Sequence, residues 1–364
     1  MTAIFYDRVS QDVNYLPSFD GWRAIAILFV VLAHGSDSIA EALGGHSVTV
    51  GTHLIGTFGV QIFFGLSGLL ITTRLISSES RTGQISLKSF YIRRAFRILP
   101  ASLAFLGVVG ILAWVGVLPV SLRGWLSAVL FFSNYSTADS GWYLGHFWSL
   151  AVEEHFYFVW PLAFLLLKNS KRRIVAVIVF ALLVAIWRAA DLFFHITGYT
   201  SPWSLWVRSD IQADGIAWGV VFALLYEDAK WKPKLEQFLR QPRVVLGLLA
   251  ALLGCLILPS VHWKLYFLLL PIRAAVIPLL ILAVLINKDG VIHALLETPI
   301  FKSLGRLSYS IYLWQQLFLV WATAAVGSMS PLQTFPLNFI AALICASLSM
   351  FLIERPLIRF GHAL

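Results

Sequence analysis

The sequence has 364 residues, of which 59% are hydrophobic and only 12% carry a formal charge. Soluble globular domains average about 45–50% apolar and about 25% charged residues, so this composition excludes a water-soluble protein. The low charge and the 14% aromatic residues also exclude an intrinsically disordered chain. The composition therefore predicts an integral membrane protein that crosses the bilayer several times.

The net charge of +9 at pH 7 raises the question of a nucleic-acid partner. Nucleic-acid-binding proteins concentrate basic residues on one polar face beside a soluble core. Here the basic residues lie between apolar segments, so we expect no nucleic-acid partner. Cys255 and Cys345 lie far apart in separate apolar segments and lack the spacing of metal ligands. We therefore expect neither a metal site nor a disulfide.

Ten apolar segments are candidates for membrane-spanning helices, which need about 20 residues each. The weakest are 207–226, which contains two aspartates, and 244–258, which is short. A further apolar piece, 125–133, is too short to cross and is predicted to be interfacial or re-entrant. The ten segments are 22–40, 57–76, 101–118, 147–167, 174–194, 207–226, 244–258, 266–286, 307–326 and 337–354.

The basic residues predict the direction of these spans, because cytoplasmic loops are enriched in Lys and Arg. With a cytoplasmic N-terminus, the outer loops hold only Arg123, Arg208 and Lys264 of the 27 basic residues. We therefore predict an all-α integral membrane protein of about ten transmembrane helices with both termini in the cytoplasm. No internal repeat or soluble insertion is visible, so residues 1–364 are predicted to form a single membrane domain.

His34 lies deep in the first predicted span, eleven residues after Arg23. At a rise of about 1.5 Å per residue the two are ~16 Å apart along the helix axis. Burial disfavours the imidazolium, so we expect His34 to be mostly neutral at pH 7 and able to accept a proton. Activation of a hydroxyl group needs such a base. A histidine that only hydrogen-bonds a neighbouring helix explains the position equally well.

Two adjacent carboxylates, Glu153 and Glu154, lie near the outer end of the fourth predicted span. Adjacent helix residues diverge by about 100°, so the two cannot share one face. Ser149, Glu153 and Tyr157 do share a face. This face is predicted to orient His34 or to bind a sugar hydroxyl. Glu154 is explained more simply as a carboxylate in headgroup water.

Arg94 and Arg97, with Arg93 beside them, lie on a short helix predicted to enter the third span. Arginine side chains match phosphate oxygens, and a nucleotide-type acyl donor presents several phosphates. Topology and anchoring to lipid headgroups explain a cytoplasmic arginine cluster more simply. The charges alone do not decide between these interpretations.

Two further polar features have a favoured structural explanation. Arg208 and Asp210 begin the sixth predicted span, where a buried structural pair is favoured over a substrate contact. Ser67 lies between Gly65 and Gly68, and small residues of this kind allow close helix packing. The strand-to-helix elbow of a serine nucleophile is absent around Ser67.

Taken together, these residues resemble the acyltransferase-3 family, the membrane O-acyltransferases that modify bacterial surface and exported polysaccharides. The resemblance runs from about residue 16 to residue 356, and its signature segments appear in order. They are 19–34 with its Arg-x10-His spacing, 63–71, the Arg-x-x-Arg of Arg94 and Arg97, 147–157, 208–215, 304–314 and 354–356.

The resemblance implies transfer of an acyl group, most often acetyl, from acyl-CoA to a hydroxyl of a polysaccharide or lipid-linked saccharide, without a metal. The partners would then be acyl-CoA, the saccharide and the lipids of the bacterial inner membrane. His34 matches the catalytic histidine of the family and Arg23 its partner. Arg94 and Arg97 match the pair linked to donor use, and Glu153 matches the first acid of the Glu-Glu-Gln-Phe-Tyr segment.

The sequence departs from the family pattern at two positions. His155 stands where glutamine is usual, and Gln315 stands where the family often has histidine. Glutamine cannot accept a proton, so Gln315 is not predicted to be catalytic. His34 is predicted to act as general base, with Glu153 or Arg23 fixing its environment, and an acyl-histidine intermediate is equally compatible. A flippase for a lipid-linked sugar is the alternative function, which paired half-repeats would support.

Overall fold

The computed structural model describes residues 17–44, 49–199, 201–260, 262–320 and 330–363. Within these ranges the chain is helical, with no β-strand, which confirms the predicted all-helical class. The α-helices are α1 (Pro17–Ala42), α2 (Thr49–Thr82), α3 (Leu87–Trp114), α4 (Leu122–Val129), α5 (Thr137–Gly145), α6 (Phe147–Leu166), α7 (Ser170–Phe194), α8 (Pro202–Trp206), α9 (Ser209–Glu227), α10 (Lys232–Leu239), α11 (Pro242–Ile257), α12 (Trp263–Ile286), α13 (Val291–Leu296), α14 (Pro299–Phe318), α15 (Leu337–Ser349) and α16 (Arg355–Ala363).

Polar side chains before two long helices show how the sequence starts them. The Ser86 hydroxyl accepts a hydrogen bond from the Ser89 backbone N–H at the start of α3. The Asn169 side-chain oxygen accepts from the Lys171 and Arg172 backbone N–H groups at the start of α7. These side chains satisfy backbone donors that have no partner within the helix.

Six helical segments within the described ranges are long and apolar enough to cross a membrane. A seventh is formed if α10 and α11, which are bent by 78°, count as one broken span. The multi-pass character is therefore confirmed. The six segments are α1, Leu54–Thr82 of α2, α3, α7, Lys264–Ile286 of α12, and Leu337–Gly361, which joins α15 and α16.

Three predicted spans fall on α6, α9 and α14, which are not among those six. Polar residues lower the hydropathy of these helices, and many of those residues are buried between helices. A count of ten needs these three helices to cross as well, so ten spans remain a prediction. The piece predicted as interfacial overlaps the short helix α4. The predicted span 307–326 ends outside the described residues.

Close packing around α2, α9, α1 and α14 forms the interior. A methyl group added at Gly68 of α2 would overlap the Ile216 carbonyl of α9, and one added at Gly219 would overlap the Gly65 carbonyl. A methyl group at Gly305 of α14 would likewise overlap the backbone of α1 at Asp20. These contacts hold α1, α2, α9 and α14 close together, and α5 and α6 pack beside them.

Candidate active site

His34 is held by a side chain of α14. Its Nδ1 lies 2.9 Å from Oε1 of Gln315, a fully buried residue. The Gln315 amide nitrogen donates to Gln316 Oε1 at 3.0 Å, so the amide oxygen faces the imidazole. An amide oxygen only accepts hydrogen bonds, and His34 Nδ1 therefore carries the proton. In the neutral ring the basic lone pair is then on Nε2.

Trp142 of α5 forms one wall beside His34. The two rings meet edge to face, with their centroids 5.3 Å apart. The Trp142 indole N–H donates to the Gln316 carbonyl at 3.1 Å, and the Gln316 amide donates back to the Trp142 carbonyl at 2.7 Å. Gly141 precedes this tryptophan with φ of 55°, a conformation that suits glycine. The indole is therefore fixed against α1.

The carboxylates of α6 contact α2 and α3. Ser67 donates to Glu153 Oε1 at 3.0 Å, and Glu153 Oε2 is 3.9 Å from an Arg94 nitrogen. Arg94 forms two hydrogen bonds with Glu154, at 2.5 and 3.2 Å, and lies 3.2 Å from the centre of the Tyr157 ring. Glu154 is thus part of an ion pair, a role that the sequence did not reveal. Ser67 likewise contacts a predicted site residue.

A cavity of about 460 Å³ opens beside this ion pair, between α3, α6 and the end of α4. This volume is within the range of small-molecule sites, about 300–1,000 Å³. Arg94, Glu154 and Tyr157 line it together with Tyr91 and His155. The remaining lining side chains are apolar, as in most ligand sites.

A second group of basic side chains consists of Arg23 near the start of α1 and Arg97 of α3, whose charges act on each other. Arg23 forms an ion pair with Asp20 at 3.0 Å in its own helix. Arg97 is exposed and has no carboxylate within ion-pair distance among the described residues. It experiences the positive charges of Arg23, Arg74 and Arg94 and the negative charge of Asp20. Arginines that repel one another in this way favour a bound anion.

Arg93 and Ser149 have simpler surroundings. The structure places Arg93 on the surface, exposed beside Arg94. Ser149 is buried, and its Oγ is 2.6 Å from the Tyr312 hydroxyl of α14. The face that Ser149 shares with Glu153 therefore points into the protein.

Arg208 and Asp210 belong to a polar network at the start of α9. Arg208 pairs with Asp210 and with Asp191 of α7, the latter at 2.6 Å, and also donates to the Thr197 hydroxyl. The Tyr135 hydroxyl, in the loop before α5, donates to Asp210 at 3.2 Å. Burial and the Asp210 charge raise the pKa of this phenol. Arg208 and Asp210 both have protein partners in this arrangement.

The family model described as an acyltransferase domain matches residues 16–355. The chain belongs to this acyltransferase family. This confirms the resemblance drawn from the sequence motifs.

Curated relatives of the chain are O-acetyltransferases by name. It is 29% identical to one from Staphylococcus aureus strain COL, over 96% of this chain and 58% of that protein. The chain is 29% identical to the peptidoglycan O-acetyltransferase OatA of Listeria monocytogenes, over 96% of this chain and 56% of OatA. It is 27% identical to the O-acetyltransferase OatA of S. aureus strain NCTC 8325, over 96% of this chain and 58% of that protein. The chain thus spans less than two thirds of these relatives, and no solved structure matches it.

Gln315 is the site residue that sequence reasoning set aside. Its inability to take a proton predicts no catalytic role, whereas in the structure its side-chain oxygen accepts a hydrogen bond from His34. One signal was present in the sequence: it stands where the family often has histidine, and a neutral histidine can also accept a hydrogen bond. Trp142 carried no sequence signal, because its position depends on how α5 packs against α1 and α14.

Proposed function

We propose that this protein is a membrane O-acetyltransferase, which transfers an acetyl group from acetyl-CoA to a hydroxyl of a bacterial polysaccharide or of its lipid-linked precursor. It would act in the inner membrane, with about ten spans and both termini in the cytoplasm. The observation that carries the proposal is the hydrogen bond between His34 and the buried Gln315, because it directs the basic nitrogen of a membrane-embedded histidine.

In this proposal His34 is the general base. Its Nε2 takes the proton of the acceptor hydroxyl as the oxygen attacks the acetyl carbonyl, a step that contributes about 10²–10⁴-fold to a rate. Gln315 stabilises the imidazolium that forms, because its oxygen accepts from Nδ1–H. Direct transfer and an acetyl-histidine intermediate both use this tautomer.

The donor would bind through Arg97 and Arg23. Arg97 is exposed and has no ion-pair partner among the described residues, so the phosphates of acetyl-CoA would supply its counter-charge. Arg93 is close enough in sequence to add to this attraction. Arg23 lies ~16 Å from His34 along α1, so we assign it to the donor phosphates rather than to the imidazole. The pantetheine arm would then run along α1 to His34.

Arg94 and Glu153 would shape the path between the donor and the imidazole. Arg94 is already paired with Glu154 and stacked on Tyr157, so its charge is largely balanced. Glu153 bonds Ser67 and would hold α6 against α2 beside the cavity. We therefore propose positioning roles for both, in a cavity wide enough for a small ligand.

The acceptor is proposed from the relatives. One of them is named as a peptidoglycan O-acetyltransferase, so we propose peptidoglycan strands or their lipid-linked precursors ahead of O-antigen and exopolysaccharide. Ser149, Tyr157, Arg208 and Asp210 all have protein partners. They would therefore set the shape of the acceptor site, with few direct contacts to the sugar.

The test compares cells carrying the wild-type gene, no gene, or His34→Ala, with mass spectrometry of their cell-wall glycans. We expect acetylated glycan only with the wild type, equal amounts of total glycan in all three strains, and equal amounts of the protein in the wild-type and His34→Ala strains. Persistent acetylation with His34→Ala would contradict the role of the base. A missing glycan in the strain without the gene would instead support the flippase alternative.

A further inference from the structure

His146 is a buried histidine at the junction of α5 and α6. Only 3% of its surface is exposed. Its ring is enclosed by the rings of Phe105, Phe147 and Tyr312, with centroids 5.2, 4.9 and 5.4 Å away. Neither ring nitrogen has a hydrogen-bond partner among the described residues. Buried polar groups are normally hydrogen-bonded, so this imidazole is unusual for a structural side chain.

The backbone of His146 is fixed although its ring is unpartnered. The Tyr312 hydroxyl donates to the His146 carbonyl at 3.0 Å and lies 2.6 Å from Ser149 Oγ. Tyr312 and Gln315 are three residues apart on α14, so one side of this helix positions both histidines. The backbone of His146 is thus held in place while both ring nitrogens lack a protein partner among the described residues.

His146 lies close to His34. A charge on His34 acts on His146, and Trp142, one helical turn before His146, contacts the His34 ring. The two histidines are therefore linked through the same helices, because Trp142 of α5 contacts His34 and α14 contacts both residues. If His34 is the base, the acetyl carbonyl must lie beside it, between α1, α5 and α14.

We propose that His146 is a second catalytic residue, whose neutral imidazole N–H donates a hydrogen bond to the acetyl carbonyl oxygen as that oxygen becomes an oxyanion. The inference rests on the proposed acetyl transfer. It adds a group that stabilises the charge developing on the substrate, a task that the general base cannot perform.

The chemical step is balanced without any additional reactant. The acceptor oxygen bonds to the carbonyl carbon, its proton moves to His34 Nε2, and the electrons of the C=O double bond move to the oxygen. When the double bond forms again, the C–S bond breaks and the CoA thiolate takes the proton from His34. His146 keeps its proton throughout. Its aromatic surroundings favour the neutral ring, and hydrogen-bond donors of this kind are most effective where water is excluded.

The test replaces His146 with Phe, which removes both nitrogens, and with Gln, which keeps an N–H donor. The full chain in nanodiscs is supplied with acetyl-CoA and a short peptidoglycan strand, and CoA release and thermal unfolding are measured. We expect His146→Phe to lower kcat by ~10²–10³-fold, the loss seen for a single oxyanion donor, and to change KM for acetyl-CoA little. His146→Gln should recover part of kcat. The unfolding temperature of His146→Phe should be unchanged or higher, because an unpartnered polar group is removed.

The matched control is Trp206→Phe. The Trp206 indole N–H is also buried and unpartnered among the described residues, but its ring packs against Trp148, Trp203 and Tyr266 and against neither histidine. Its kcat should equal that of the wild type. A His146→Phe protein with wild-type kcat would overturn the inference. So would equal losses of kcat in His146→Phe and His146→Gln, if both proteins are also less stable than the wild type. A wild type that releases no more CoA than His34→Ala would overturn the proposed function itself.

Discussion

Replacing Gln315 with Leu tests whether the hydrogen bond between His34 and Gln315 makes Nε2 the basic nitrogen of His34. Leu removes the amide oxygen that accepts from His34 Nδ1 at 2.9 Å, in a position that is fully buried. Either tautomer of the neutral imidazole then becomes available, and the imidazolium loses the acceptor that Gln315 provides. We expect kcat to fall while KM for acetyl-CoA stays close to the wild-type value, since the bond matters most when His34 is charged.

The size of the effect follows from the change in that hydrogen bond during the reaction. A bond between neutral groups contributes about 0.5–1.5 kcal/mol, and a bond to a charged group about 1.5–3 kcal/mol. The transition state therefore gains about 1–1.5 kcal/mol over the ground state. Since about 1.4 kcal/mol corresponds to a factor of ten, kcat should drop by roughly 5- to 10-fold.

The assay is CoA release by the full chain in nanodiscs, with thermal unfolding measured on the same samples. Gln315→His is the matched control, because a neutral histidine still offers an acceptor nitrogen. It should keep kcat within about threefold of the wild type, which is about 0.6 kcal/mol and near the lower end of what one neutral hydrogen bond contributes. A Gln315→Leu protein with wild-type kcat would show that the base does not depend on this bond. Equal losses in both variants, with lower unfolding temperatures, would point to packing instead.

Two further substitutions test the charged groups. Arg97→Ala should raise KM for acetyl-CoA by about 10- to 100-fold, the value of one charge-assisted hydrogen bond, with little change in the unfolding temperature. Lys171→Ala, at an exposed position on α7, is the control. Equal KM values for the two variants would refute the donor site. Arg188→Met should destabilise the protein by about 3–5 kcal/mol, because it leaves Asp214 charged and buried, whereas adding Asp214→Leu should recover much of that loss. Chemical unfolding of the single and double variants measures this, and a double variant less stable than the single one would be inconsistent with a buried pair.

The sequence predicted which residues are polar in an apolar setting, because hydropathy and spacing are local properties. His34, Glu153, Arg94 and the polar start of α9 were all found in this way. The helical face shared by Ser149, Glu153 and Tyr157 was predicted from geometry alone, and Ser149 and Tyr157 are indeed buried. Such conclusions need only the period of an α-helix.

The sequence did not predict which residues are partners. Glu154 pairs with Arg94, and Gln315 bonds His34 across 281 positions of the chain. These contacts depend on which helices meet, and that is decided by close packing at positions such as Gly305. The count of spans was also limited for a physical reason. Helices α6, α9 and α14 place polar residues inside the protein, so their hydropathy underestimates how well they suit a membrane interior.

The presence of glutamine at position 315, where the resemblance to the family suggests a histidine, has a chemical consequence for the proposed base His34. A histidine there would have two tautomers and could itself exchange a proton with His34. The Gln315 amide has one orientation here, because its nitrogen donates to Gln316 and its oxygen faces the imidazole. In the proposed reaction His34 would therefore keep its proton on Nδ1 and present Nε2 to the substrate in each turnover. Under the proposed mechanism, the proton of the acceptor hydroxyl would then reach the CoA thiolate through Nε2, the same nitrogen that received it.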